Sequence, residues 1–206
     1  MHLRLSVKRF WKVVRGNIAV STTFLFLIAA ALIVVPIQWV CAWILALTIH
    51  ELCHYICLKL LGARVHKISI ESRGVIMEAE PLSLGKEAIC AYAGPVGSLL
   101  VLIIARYVPR TAICTLVFSA YNLLPVFPLD GGRGLGCLLR KFISEDRAIK
   151  AQRYIENAVL LGIVLIALYA VFRLCLGILP AVMAVILFWR SKGIKFPCKK
   201  CRLGLQ

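Results

Sequence analysis

Two histidines and a glutamate interrupt an apolar stretch, Trp43 to Tyr55, that otherwise reads as membrane helix: Trp-Ile-Leu-Ala-Leu-Thr-Ile-His-Glu-Leu-Cys-His-Tyr. On a helix His50 and His54 lie four residues apart, so both imidazoles leave from one face. Glu51 projects near the same side. This is the H-E-x-x-H pattern, in which zinc takes the two imidazoles and the carboxylate acts on the water that zinc activates. The bland alternative is two core histidines and an accidental glutamate. A carboxylate inside an apolar span costs ~3 kcal/mol on insertion scales, and that alternative leaves Glu51 without a reason to be there.

A zinc site built on two imidazoles needs a third protein ligand. Of the nine acidic residues, only Glu51 and Asp130 lie inside or at the end of a long apolar run. Asp130 closes the segment Tyr121-Asn122-Leu123-Leu124-Pro125-Val126-Phe127-Pro128-Leu129-Asp130 and is followed by Gly131-Gly132-Arg133. Carboxylate oxygen is an accepted zinc ligand, so Asp130 is the natural candidate. The alternative is an aspartate that caps a following helix. Two prolines end the regular helix before it, and the glycine pair permits tight turns.

The elements that must carry these residues are membrane helices. The chain of 206 residues is 61% hydrophobic, with a mean hydropathy of +0.89, well outside the range of soluble domains. It has room for about six spans of ~20 residues. The expected fold is therefore an all-α polytopic membrane protein with a small β-hairpin between spans two and three. Span one is read over Ile18 to Val35, ended by Pro36. Span two runs from Ile37 to Leu61, carries the histidines and stops at Gly62. Residues 65–70 and 74–79 alternate like strands about a turn at Ser72-Arg73-Gly74. A free edge of that hairpin could pair with an extended segment of another chain. Span three is Ala88 to Arg106, with Gly94 and Pro95 inside a kinked packing face. Span four is Thr111 to Phe127. Residues 133–153 are a polar, basic stretch, followed by apolar stretches at 158–172 and 176–189. Residues 1–16 form a basic segment, 17–189 a single membrane-embedded domain, and 190–206 a basic tail.

The net charge is +16. The bases flank apolar spans, so the positive-inside rule accounts for them, and no nucleic-acid partner is expected. With six spans, both termini and the 62–87 and 133–153 connections fall on the cytoplasmic side. His50, His54 and Asp130 then lie at similar depth in the cytoplasmic half of the bilayer. Six of the nine cysteines lie in or beside apolar segments, where a thiol behaves as a small hydrophobe. Cys198 and Cys201 form one C-x-x-C in the tail, a single pair that reads as reduced thiols.

His-Glu-Leu-Cys-His in a membrane helix, followed by Asn-Leu-Leu-Pro-Val-Phe-Pro-Leu-Asp-Gly-Gly-Arg, resembles the site-2 protease family of intramembrane zinc metalloproteases. The short chain with six spans looks most like the sporulation branch, stage IV factor FB, which processes the pro-form of a late sigma factor. By this resemblance His50, His54 and Asp130 are the zinc ligands and Glu51 is the catalytic base. Asn122 and Pro125 match the family's Asn and Pro close to the substrate, and Gly94 and Pro95 its Gly-Pro span, with Ser98 where an Asn is often found. The hairpin would resemble the membrane-reentrant element that receives substrate. The resemblance implies a membrane-associated or single-span protein substrate, inhibitory membrane-protein partners, and a bacterial inner membrane of the cell or forespore. That branch commonly carries a C-terminal nucleotide-sensing domain. This sequence ends sixteen residues after Arg190, a departure that points either away from the sporulation branch or to a truncated branch without that regulation. The rival readings are a membrane metal-ion transporter, expected to carry polar residues through to both faces, and an inactive scaffold with the protease fold.

Overall fold

Pro36 has no N–H to continue a helical ladder, and it divides the first apolar run. The computed structural model describes residues 12–15, 18–71, 74–172 and 185. In it α1 (Thr22–Val34) ends before this proline and α2 (Ile37–Leu60) starts after it. Ser21 caps α1, its hydroxyl accepting the Thr23 N–H at 3.3 Å. At the far end of α2, Gly62 takes a φ of 82°. Its N–H reaches the Lys59 carbonyl and the Ala63 N–H reaches that of Leu58. This is the paired closure that glycine allows at a helix end.

One expectation for the N-terminal region is corrected. Ile18–Ser21 is a strand, β2, and not the start of a span. Lys12–Arg15, read as part of a basic segment, is also a strand, β1. The hairpin strands β3 (Val65–Glu71) and β4 (Gly74–Ala79) form as expected, but they are half of a four-stranded sheet of order β1-β2-β3-β4. β2 runs parallel to β3, pairing Ile18 with Ile68 and Val20 with Ile70. β4 is therefore the sheet edge beside the helices. Met77 of β4 packs with Leu58 and Cys90, and Val75 and Ala79 join the same cluster.

Among the described residues three helical segments are long and apolar enough to cross a membrane: Ile37–Leu60, Leu84–Ile104 and Glu145–Tyr169. The expectation of about six is thus met in part. α1 has 13 residues and α4 (Pro109–Asn122) has 14, each about 20 Å long against a hydrocarbon core of ~30 Å. Apart from Val185, the sixth expected span lies outside the described residues, as does the tail. α3 (Leu84–Ser98) keeps Pro95 within it and tightens into a 3₁₀ turn over Leu99–Ile104. The Ser98 hydroxyl donates to the Pro95 carbonyl at 3.0 Å and shares a 2.8 Å bond with Ser119 of α4, with both serines fully buried.

The polar stretch 133–153 is helical, not a loop. α5 (Asp130–Phe142) begins at the aspartate itself, and α6 (Glu145–Phe172) follows. The glycines of Asp-Gly-Gly-Arg-Gly-Leu-Gly are not turn residues but points of close approach. A Cβ on Gly131 would overlap the carbonyl of Leu123, one on Gly132 the backbone of Val126 and Phe127, and one on Gly134 the ring of Tyr92. Backbone cannot swing aside as a side-chain end can. Gly132→Ala should therefore destabilise the protein by about 2 kcal/mol, in the range of other overpacked sites. Thermal unfolding in detergent measures this, and an unchanged midpoint would contradict the packing.

Candidate metal centre and active site

α2 carries His50 and His54 on one face, and the two rings meet edge to face with centroids 4.9 Å apart. Asp130, eighty residues on, enters from the first turn of α5. Its Oδ2 lies 3.0 Å from His50 Nε2 and 3.2 Å from His54 Nε2. The ligand atoms of the three residues all fall within 4.8 Å of one another. His50 is 2% exposed and Asp130 8%. The expected trio is thus brought together. The capping alternative for Asp130 is not what forms, since the carboxylate faces the imidazoles and Leu129 holds the cap position.

The donor chemistry fits a metal. His54 Nδ1 lies 2.8 Å from the Cys90 carbonyl of α3. A carbonyl only accepts, so Nδ1 carries the proton, and in the neutral ring Nε2 presents its lone pair. That lone pair faces a carboxylate oxygen at 3.2 Å, an acceptor against an acceptor. A cation between them resolves the conflict. Two ligands on a tetrahedral zinc at ~2.05 Å stand about 3.3 Å apart, close to both separations seen here. The carbonyl that orients His54 is the outer partner such histidines use. Phe118 of α4 packs edge-on against His50 at 4.8 Å. Gly94 makes the room on the other side: a Cβ there would overlap the His54 ring.

Glu51 lies beside the trio. With His54, Leu58, Met77, Cys90, Ala91 and Arg133 it lines a cavity of about 40 Å³, enough for water. Met77 is the β4 residue in that lining, which puts this strand beside the site. Arg133 Nη1 stands 3.7 Å from Asp130 Oδ1, leaving Oδ2 to the imidazoles. The two residues expected near substrate are not hydrogen-bonded to this group. Asn122 ends α4 and donates to the Phe118 carbonyl at 3.0 Å, while Pro125 lies in the segment between α4 and α5.

Against solved structures, the site-2 protease from Methanocaldococcus jannaschii superposes with a TM-score of 0.62 over 91% of this chain and 98% of that one, at 18% identity. The chain has the site-2 protease fold. A curated zinc metalloprotease of the same organism is 25% identical over 154 residues, 65% of this chain. The chain spans less than half of that relative, 45% of its length. No protein-family model matches.

Several contributors to the site had no signal in the motif. The Cys90 carbonyl is backbone, and no side-chain pattern reveals it. Arg133 was visible only as one base of a charged stretch. Gln152 and Glu156, both buried on α6, sit at the border of an apolar run four residues apart. That spacing, on one helix face, was the available clue.

Proposed function

We propose that this chain is an intramembrane zinc metalloendopeptidase that cleaves a membrane-associated or single-span protein. The observation that carries the reading is the convergence of His50, His54 and Asp130 at one buried point, with the Glu51 carboxylate and a strand of the sheet beside it. His50, His54 and Asp130 would hold the zinc. Bound there, zinc supplies Lewis acidity toward water and toward the scissile carbonyl. Glu51 accepts the proton of the attacking water and returns it to the leaving amine. A helical substrate hides its carbonyls in its own hydrogen bonds, so it must be opened first. β4 is an edge strand that offers backbone groups to an extended segment, and its Met77 lines the cavity beside Glu51. Asn122 and Pro125 take the substrate side; Asn122 Nδ2 spends one N–H on the Phe118 carbonyl and has a second to offer an oxyanion.

The finer reading places the protein in a bacterial inner membrane with both termini cytoplasmic. Its substrate there is a pro-sigma factor of sporulation, under inhibitory membrane-protein partners. The resemblance of the two motifs supports it, and co-expression with candidate substrates tests it.

Purified protein should carry about one zinc per chain, and Asp130→Ala should carry less than about a tenth of that, with the chain still membrane-inserted. Chelation should stop cleavage of a reconstituted single-span substrate and zinc should restore it. A preparation without stoichiometric transition metal would overturn the proposal. Metal uptake into vesicles without proteolysis would favour the transporter.

A further inference from the structure

We propose that Gln152 and Glu156 of α6 form a clamp that sets the position of Asp130. The inference rests on the reading of Asp130 as a metal ligand. Asp130 must deliver one oxygen to two imidazoles carried by another helix, yet the residues before it, 123–129, belong to no helix or strand. Their placement has to come from elsewhere. Glu156 Oε1 accepts the Phe127 N–H at 3.0 Å, three residues before Asp130. Gln152 Nε2 donates to the Gly132 carbonyl at 2.9 Å, two residues after it. The same Nε2 donates to Glu156 Oε1 at 3.2 Å, tying the two side chains together. α6 therefore grips the backbone on both sides of the aspartate.

The cost of this arrangement argues for a purpose. Gln152 is 2% exposed and Glu156 5%, on a helix apolar enough to cross a membrane. Buried polar groups gain little net stability over well-packed apolar ones, but they fix geometry. Around the clamp the packing is apolar, with Val126 and Leu129 against Leu160. Gly136 lets α5 approach, since a Cβ there would come within 2.7 Å of Gln152 Oε1. Neither side chain is a catalytic residue. They are positioning residues that act through backbone.

The test uses the full chain in detergent, loaded with cobalt(II) as a spectroscopic substitute and with zinc by competition. Glu156→Leu should bind both metals 10- to 100-fold more weakly, roughly the effect of losing an outer-shell partner, and should alter the cobalt d–d spectrum. Glu156→Gln keeps an acceptor for the Phe127 N–H and should restore affinity to within about threefold. Wild-type affinity and spectrum in Glu156→Leu would overturn the clamp, as would a Glu156→Gln variant as weak as the leucine. If Glu156→Leu is not recovered folded, Gln152→Leu carries the same comparison, and wild-type binding there overturns the proposal. Wild-type protein that binds neither metal would instead overturn the metal-centre reading itself.

Discussion

Glu51→Gln should abolish peptide cleavage while zinc stays at its wild-type stoichiometry. The amide matches the carboxylate in shape, so the cavity lining around it has no reason to move. It is not one of the three residues whose ligand atoms converge, so the metal has no reason to leave. What the substitution removes is a proton acceptor beside the water-sized cavity. Positioned general bases contribute about 10²- to 10⁴-fold, and a drop of that size should appear in the cleavage rate of a single-span substrate in proteoliposomes. Elemental analysis of the same sample supplies the control. Residual activity within about tenfold of wild type, with zinc bound, would show that another group takes the proton. Arg133 and the imidazoles cannot replace it, because a guanidinium offers donors and no acceptor and both rings face Asp130.

The chemistry was legible because it is sparse. In a chain with nine acidic residues, a carboxylate in an apolar run stands out, and the four-residue spacing of His50 and His54 is a local property of helices. Asp130 followed by elimination, and the structure joins it to the histidines across eighty residues. What escaped was non-local. Helix propensity penalises glycine, so Gly131 and Gly132 read as turn residues. In the fold they are the only side chains small enough to let α5 lie against the backbone of residues 123–127. β1 and β2 are four residues each, and β2 forms by pairing with a strand some fifty residues away. Neither has a pattern of its own to announce it. Gln152 and Glu156 resemble a solvated helix face in sequence, and only packing shows that the face is buried. The number of spans suffered similarly, because hydropathy marks apolar runs without showing where a strand or a short helix divides them.

Gly94→Ala should empty the metal centre almost as completely as His54→Ala, although it changes no ligand. α3 lies so close to α2 here that a Cβ on Gly94 would overlap His54 at Nε2, the nitrogen that faces Asp130. A flexible side chain would swing away, but this ring is pinned. Its Nδ1 donates to the Cys90 carbonyl at 2.8 Å, four residues earlier on the same helix and so on the same face. Turning the ring off the new methyl breaks that bond, and moving α3 back carries the carbonyl with it. Either way His54 loses the orientation that aims its lone pair at Asp130. Metal affinity should fall about 100-fold or more, at the upper end of outer-shell effects. Gly97→Ala is the matched control, one turn further along α3. Its methyl would meet the Cys53 thiol, the movable end of a side chain outside the ligand set. It should cost some stability and leave the zinc in place. Wild-type zinc affinity in Gly94→Ala would mean that α3 does not press on His54 and that the ring is held by other contacts.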